Sequence, residues 1–297
     1  MQRYKIILKI LFGIVFVAVI VYIILAIIAR PAQDTPFFEG LSGEPLVMAH
    51  RGGKGLWPEN TLFGFRRAID MGVDILEMDV RATNDGRLVV IHDATVNRTT
   101  NGKGDVVSFS LDNLQQLDAG YYWTEDDGQS YPYRGQEIII PLLEDVLISF
   151  PDQFLNIEIK PPEINLAESL CRLIRQYKMD DQVLIVSFDA PVLSAFRQAC
   201  PQVATSLSED EVRTMYMMNL FWLGRLYSPM GGAVQVPEYF GSRKVLTRRF
   251  VAAAHQRNLQ VHAWTINDTY SMQRMLAMGV DGIITDYPNL MLALLGR

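Results

Sequence analysis

Cysteine is nearly absent from this 297-residue chain, and Cys171 and Cys200 are too few to frame a small disulfide-stapled domain. Neither sits in a CxxC pair or beside histidines, so no zinc or thiol-redox motif is present, and both are expected to be packed thiols. A basic excess is missing too. The net charge is −6, and no stripe of Lys and Arg interleaves with aromatics, which removes the electrostatic reason to expect nucleic acid as a partner. No internal repeat or low-complexity tract stands out.

What remains is a globular composition, 49% apolar and 20% charged, preceded by a stretch of another kind. Ile10 to Ala29 is an uncharged run of 20 residues, about the length that crosses a hydrocarbon core as a helix. Arg3, Lys5 and Lys9 precede it, and Asp34, Glu39 and Glu44 follow Arg30. The positive-inside rule then predicts a single-pass anchor over residues 1–30, with its N-terminus in the cytoplasm and the rest of the chain on the extracytoplasmic side. A cleaved signal peptide is the competing reading, although its apolar core would span only about 7–15 residues. Residues 31–45, rich in Pro, Gly and acidic side chains, read as a tether, and 46–297 as one domain.

Within 46–297, short apolar runs alternate with helical patterns. The runs are Leu46–His50, Asp74–Asp79, Phe154–Ile159, Val183–Ser187, Val203–Leu207, Ala233–Pro237, Gln260–Trp264 and Asp281–Thr285. Helices are predicted at Thr61–Met71, Leu166–Tyr177, Val245–Arg257 and Thr269–Met278. Eight strands separated by helices predict an α/β fold, a (β/α)8 TIM barrel. One stretch breaks the alternation. After Asp79, the Asn-Asp-Gly at 84–86 followed by "RLVVIHD" predicts an antiparallel hairpin. A turn centred on Asp85–Gly86 would set His92 opposite Asp79. Residues 95–141 then form a long excursion of the kind that serves a site.

In such a barrel, chemistry gathers at the C-terminal ends of the strands. The first strand brings His50 and Arg51 there, the second Glu77 and Asp79, the third Glu158 and Lys160, and the hairpin His92 and Asp93. Taken singly, each has a structural reading; Glu77 and Asp79, for example, would pair with Arg81 or Arg67, and Lys160, before Pro161–Pro162, with Glu158. Together those readings would bury many charges at one pole without a ligand. Three converging carboxylates suit a hard divalent cation. Two histidines beside it suit acid–base work near neutral pH, and an added Arg and Lys suit a phosphate. Those parts describe a phosphodiesterase.

The chain resembles the glycerophosphodiester phosphodiesterase family from about residue 46 onward. The resemblance is carried in order by "HRGG…PENT" (50–61), "EMDV" (77–80), "VVIHDATVNRTTNGKG" (89–104), "IEIK" (157–160), "VHAWTIND" (261–268) and "GVDGIITDYP" (279–288). It implies that Glu77, Asp79 and Glu158 bind one divalent cation, Mg²⁺ or Ca²⁺. It further implies His50 and His92 as the acid–base pair and Arg51 and Lys160 as phosphate ligands. The expected reaction is hydrolysis of glycerophosphodiesters to an alcohol and glycerol 3-phosphate.

Trp264, ending the seventh strand, is a candidate wall for the glycerol or alkyl part of the substrate, or else a core aromatic. Asn60 reads as the N-cap of the first helix, and Gly52 and Gly53 as room for a phosphate. His255 and His262 are not expected to be catalysts. The stretch "MYMMNLFWLGRLYSPMGGA" (215–233) is unusually apolar. It reads either as an ordinary outer helix or as an apolar surface at the mouth that admits an acyl chain or rests on a bilayer. The second reading raises lysophospholipids as alternative substrates, cleaved as by a lysophospholipase D. A catalytically silent head-group-binding module and an inositol-phospholipid phosphodiesterase remain as further alternatives.

Overall fold

The computed structural model describes residues 2–41, 45–160 and 166–297. Glu44, Pro161, Pro162 and the side chain of Arg3, which entered the sequence reading, lie outside the described residues. Eight parallel strands run in the order Leu46–Ala49, Ile75–Ala82, Phe154–Ile159, Val183–Val186, Ala204–Thr205, Ala233–Pro237, Gln260–Trp264 and Gly282–Thr285, the last pairing back onto the first. The short fifth strand reaches the sixth through a parallel bridge from Ser206 to Ala233, which completes the barrel. The strands read as near-continuous apolar runs because outer helices cover one face and barrel side chains the other. The helices include Leu62–Met71, Leu166–Gln176, Ala190–Ala199, Glu209–Leu220, Arg248–His255 and Thr269–Met278.

The hairpin forms one residue away from the predicted register. Its second strand, Leu88–Val90, pairs antiparallel with the end of the second barrel strand, Val80 against Val90. Ile91 N donates to Asp79 O at 2.9 Å, so Ile91 faces Asp79 and His92 lies one residue beyond. The excursion that follows has its own small core of Val89, Ile91, Val96, Val106, Leu114 and Ile140.

The segment expected as a tether packs instead. Pro36 opens a helical turn, Pro36–Glu39, whose Phe37 is fully buried among Leu46, Met48, Ile75, Leu184, Ala204 and Ile284. Phe37 meets Phe38 and Phe154 edge-on at 5.1 and 5.5 Å, stoppering the N-terminal pole of the barrel. Above it, His262 is completely buried with Gln235 and Asn156 in a polar interior layer. His255, in the last turn of its helix, bonds Asp281 at 2.8 Å.

One expectation about a surface element needs correction, and one open choice falls to the outer-helix reading. Cys171 and Cys200 are joined in a disulfide, Cα to Cα 5.5 Å, not packed as thiols. They lie 29 residues apart, Cys171 on one outer helix and Cys200 just after the next, and the packing of those helices brings them together. The apolar stretch 215–233 also lies away from the mouth. Helix Glu209–Leu220 starts just after the C-terminal end of the fifth strand and runs antiparallel to it, so Phe221 and Trp222 emerge at the opposite, N-terminal pole.

The N-terminal helix, Gln2–Ile28, carries its apolar side chains outward. Tyr4–Ile28 is long and apolar enough to cross a membrane, with a mean hydropathy of 3.3 over its most apolar 18 residues. Its last turns meet the barrel's N-terminal pole, where Tyr22, Ile23, Ala26 and Ile27 form a cleft with Arg225, Gln256 and Arg257.

Candidate active site

The first strand stops at Ala49 because the chain turns left-handed at Arg51 (φ 51°), Gly52 (φ 78°) and Gly53 (φ 91°). That twist points the Arg51 N–H at Glu77 Oε2, 2.7 Å away. Glycine is required at residue 52 by packing: a Cβ there would stand 2.7 Å from the Phe65 ring of the first outer helix. Gly52 thus serves helix packing, and a Cβ at residue 53 would meet Trp57 at 3.2 Å and Pro288 at 3.3 Å. Asn60 departs from expectation. Thr61 caps the helix, accepting from Gly64 N at 3.1 Å. Asn60, buried with φ 55°, donates from Nδ2 to Asp79 Oδ2 at 2.9 Å and accepts from Asp79 N at 3.3 Å.

Glu77, Asp79 and Glu158 converge, each offering an oxygen within 4.8 Å of the others, and all three are buried. Lys160 Nζ reaches Asp79 at 2.9 Å and Glu158 at 2.7 Å, and Arg51 Nε reaches Asp79 at 3.2 Å. Burial, with the charge of Asp79 added, pushes Glu77 well above the usual carboxylate range. Burial also pushes Glu158 up to about 7 despite Lys160. Asp79 is equally buried, but Lys160 and Arg51 outweigh the loss of solvent and hold it below its ordinary value. Two cations among three carboxylates leave the cluster short of positive charge, and its donors are all hard oxygens. The set fits a divalent cation of the Mg²⁺ or Ca²⁺ kind.

The two histidines flank this cluster in parallel ways. His50 Nδ1 lies 2.5 Å from Asp286 Oδ1, and its Nε2 is 3.9 Å from Glu77. Asp286 is itself gripped by Asn267 Nδ2 at 2.7 Å and approached by Lys54 at 3.5 Å. His92 Nδ1 lies 2.7 Å from Asp93 Oδ1. Arg98 bonds Asp93 at 2.7 Å and forks onto Glu59, which also takes Arg51 NH1 at 2.8 Å. Each imidazole therefore has one nitrogen held by a carboxylate, which fixes the ring and leaves Nε2 to work. Burial lowers both histidines below the ordinary value, against the opposing pull of their carboxylates.

Trp264 packs against Phe188 at 5.3 Å and lines a cleft with Glu238, Asn267 and Asp268. Asn267 belongs to both that cleft and the His50–Asp286 pair. The pairings weighed earlier for Glu77 and Asp79 are not made: Arg81 Nε bonds His92 O, and Arg67 lies over Phe63. Sequence reasoning brought forward every member of the central cluster but missed the residues that orient it, Glu59, Asn60, Arg98, Asn267 and Asp286. All five sit inside the quoted motifs. The available signal was a polar residue at a turn between a strand and a helix.

Comparison with known proteins shows the family of the chain. Residues 50–290 match the glycerophosphoryl diester phosphodiesterase family. A glycerophosphodiester phosphodiesterase of Caldanaerobacter subterraneus subsp. tengcongensis is 35% identical over 257 residues, covering 85% of this chain and 98% of the relative. A lysophospholipase D of Mus musculus is 26% identical over 267 residues, covering 81% and 83%. The solved structure of an Oleispira antarctica phosphodiesterase, in complex with the product sn-glycerol-3-phosphate, superposes with a TM-score of 0.67 at 28% identity, covering 86% of this chain and 98% of that one.

Proposed function

The chain belongs to the glycerophosphoryl diester phosphodiesterase family, and from that premise we propose how its site hydrolyses glycerophosphodiesters to an alcohol and glycerol 3-phosphate. The observation that carries the proposal is the pair of carboxylate-held histidines beside a buried three-carboxylate cluster. Glu77, Asp79 and Glu158 would hold one divalent cation, Mg²⁺ or Ca²⁺, which would polarise the phosphodiester and lower the pKa of the attacking hydroxyl or water. Arg51 and Lys160, already turned into the cluster, draw the phosphate in and neutralise charge that grows on its oxygens.

One histidine accepts at Nε2 a proton of the attacking oxygen as the new P–O bond forms, the nucleophile being water itself or a glycerol hydroxyl whose cyclic phosphate water then opens to glycerol 3-phosphate. The other delivers its Nε2 proton to the alcohol oxygen as the old P–O bond breaks. Asp286 and Asp93 keep the second nitrogen of each ring occupied, so neither ring turns away during the transfer. Trp264 walls the cleft that receives the organic part of the substrate.

Residues 1–30 act as an uncleaved single-pass anchor, with 46–297 as the catalytic domain on the extracytoplasmic side. The disulfide supports this sidedness independently of the flanking charges, because such bonds persist in oxidising compartments. Lysophospholipids are a second substrate class, favoured by the lysophospholipase D relative and by the exposed Phe188, Tyr239 and Phe240 beyond the strand ends.

The test is turnover of glycerophosphocholine and lysophosphatidylcholine by the full chain with Mg²⁺ or Ca²⁺, following glycerol 3-phosphate and lysophosphatidic acid. His50→Ala and His92→Ala should each lower turnover on the order of 10²–10⁴-fold. Near-normal turnover in His50→Ala with metal present would overturn the assigned roles.

A further inference from the structure

An exposed apolar patch outside the N-terminal helix lies at the pole opposite the catalytic cluster. Phe221, Trp222 and Met230 are 66%, 77% and 69% exposed, and Met217, Leu220 and Leu223 are exposed beside them. A patch of this kind on a water-facing surface needs an occupant. Its position names one. The stretch runs directly into the helical turn Gly224–Leu226, whose Arg225 meets the last turns of the apolar N-terminal helix. The patch and the end of that helix therefore share one pole of the barrel.

We infer that the barrel stands on the membrane that anchors it, N-terminal pole down, with Leu220–Leu223 and Met230 in the headgroup layer and the catalytic mouth turned to the aqueous phase. This rests on the reading that the N-terminal helix spans the bilayer. The lengths agree. Tyr4–Ile28 has 25 residues, ~37 Å of helix against a ~30 Å hydrocarbon core, so its last turn reaches the headgroups where Arg225, Gln256 and Arg257 meet it. The chemistry agrees as well. Trp222 is the residue type favoured at that depth, and the Arg249 guanidinium lies 4.0 Å over its ring, a cation placed for lipid phosphates. Helix Glu209–Leu220 leads from the strand ends to the patch, so the mouth stands ~18 Å away along it.

The orientation bears on substrate class. A mouth turned from its own bilayer takes diesters that arrive through water, and a lipid lying in the anchoring leaflet sits at the wrong pole. The apolar stretch then serves to seat the enzyme, and acyl-chain binding is not its task.

The experiment uses the full chain in vesicles of phosphatidylcholine and phosphatidylglycerol containing headgroup-spin-labelled lipid. Fluorophores are attached to Met230→Cys at the seated pole and Tyr270→Cys at the mouth, the native cysteines being tied in their disulfide. The expected result is at least fivefold stronger lipid quenching at residue 230 than at 270. Phe221→Ser/Trp222→Ser should weaken the quenching at 230 while leaving glycerophosphocholine turnover unchanged. Reconstitution itself should change that turnover less than twofold. Equal quenching at both sites, or stronger quenching at 270, overturns the orientation. So does a residue 230 shielded from aqueous iodide yet silent to lipid, which would mean a second copy covers the patch. Release of the chain by alkaline carbonate defeats the anchor and the orientation together. Retention with the wrong quenching pattern defeats the orientation alone, and none of these results touches the hydrolytic assignment.

Discussion

Asp286 and Asp93 each hold the Nδ1 of a histidine, and each is held in turn, by Asn267 and by Arg98. Asp286→Asn keeps the size of the side chain but loses the charge that steadies the ring, so kcat should fall on the order of 10²–10⁴-fold with KM nearly unchanged. Steady-state kinetics on glycerophosphocholine checks this, and a change confined to KM would contradict it. His50, Arg51 and the cluster carboxylates were legible because each puts a charge in or just after a strand of apolar residues, where a core does not tolerate it. Asp286 and Asn60 were not, because Asp and Asn at a strand-to-helix turn read equally well as caps. Their side chains turn inward only because the neighbouring strands place His50 and Asp79 beside them.

His262 gives a second prediction at this scale. Burial lowers its pKa from an ordinary 6.5 to about 4. For a base buried in its neutral form, the stabilisation is complete above pH 6.5 and drains away as pH falls toward 4, because the unfolded chain binds the proton first. The loss over that window is about 3 kcal/mol at most. Urea unfolding of His262→Gln should therefore show a shallower decline of stability between pH 6.5 and 4 than the native chain. A parallel decline in both would contradict it.

Elements carry the stability of the fold in ways the pattern of strands did not disclose. The eight strands and most outer helices were readable from alternating apolar runs, and Phe154–Ile159, Ala233–Pro237, Gln260–Trp264 and Thr269–Met278 appear with the predicted limits. The hairpin register slipped by one because a turn's centre does not fix which backbone groups pair. Phe37 was hidden in a Pro-rich stretch whose composition speaks only of linkers. Phe37→Ala should cost about 3–5 kcal/mol, the usual loss for a buried aromatic, with kcat little changed, as unfolding and kinetics measured together will show. The Cys171–Cys200 bond ties helix Leu166–Gln176 to the end of helix Ala190–Ala199. Cys171→Ser/Cys200→Ser should lower unfolding stability by roughly 3–4 kcal/mol, the chain-entropy value for a loop of that size. A variant as stable as the native chain under oxidising conditions would count against a structural disulfide.

As a whole, the molecule separates its tasks along the barrel axis. The N-terminal pole carries the Phe37 stopper, the apolar patch and the end of the apolar N-terminal helix. The C-terminal pole carries the buried carboxylates, the held histidines and the two cations. The central claim is that this second pole needs a divalent cation to act on a phosphodiester. The direct measurement is hydrolysis of glycerophosphocholine by the metal-stripped full chain as Mg²⁺ or Ca²⁺ is added back. Turnover should be absent in chelator and recover saturably with either or both ions. Asp79→Asn and Glu158→Gln should need at least ~10-fold more metal for half-recovery, on the scale by which such sites respond to altered ligation. Full turnover in chelator, or variants with the metal dependence of the native chain, would contradict it.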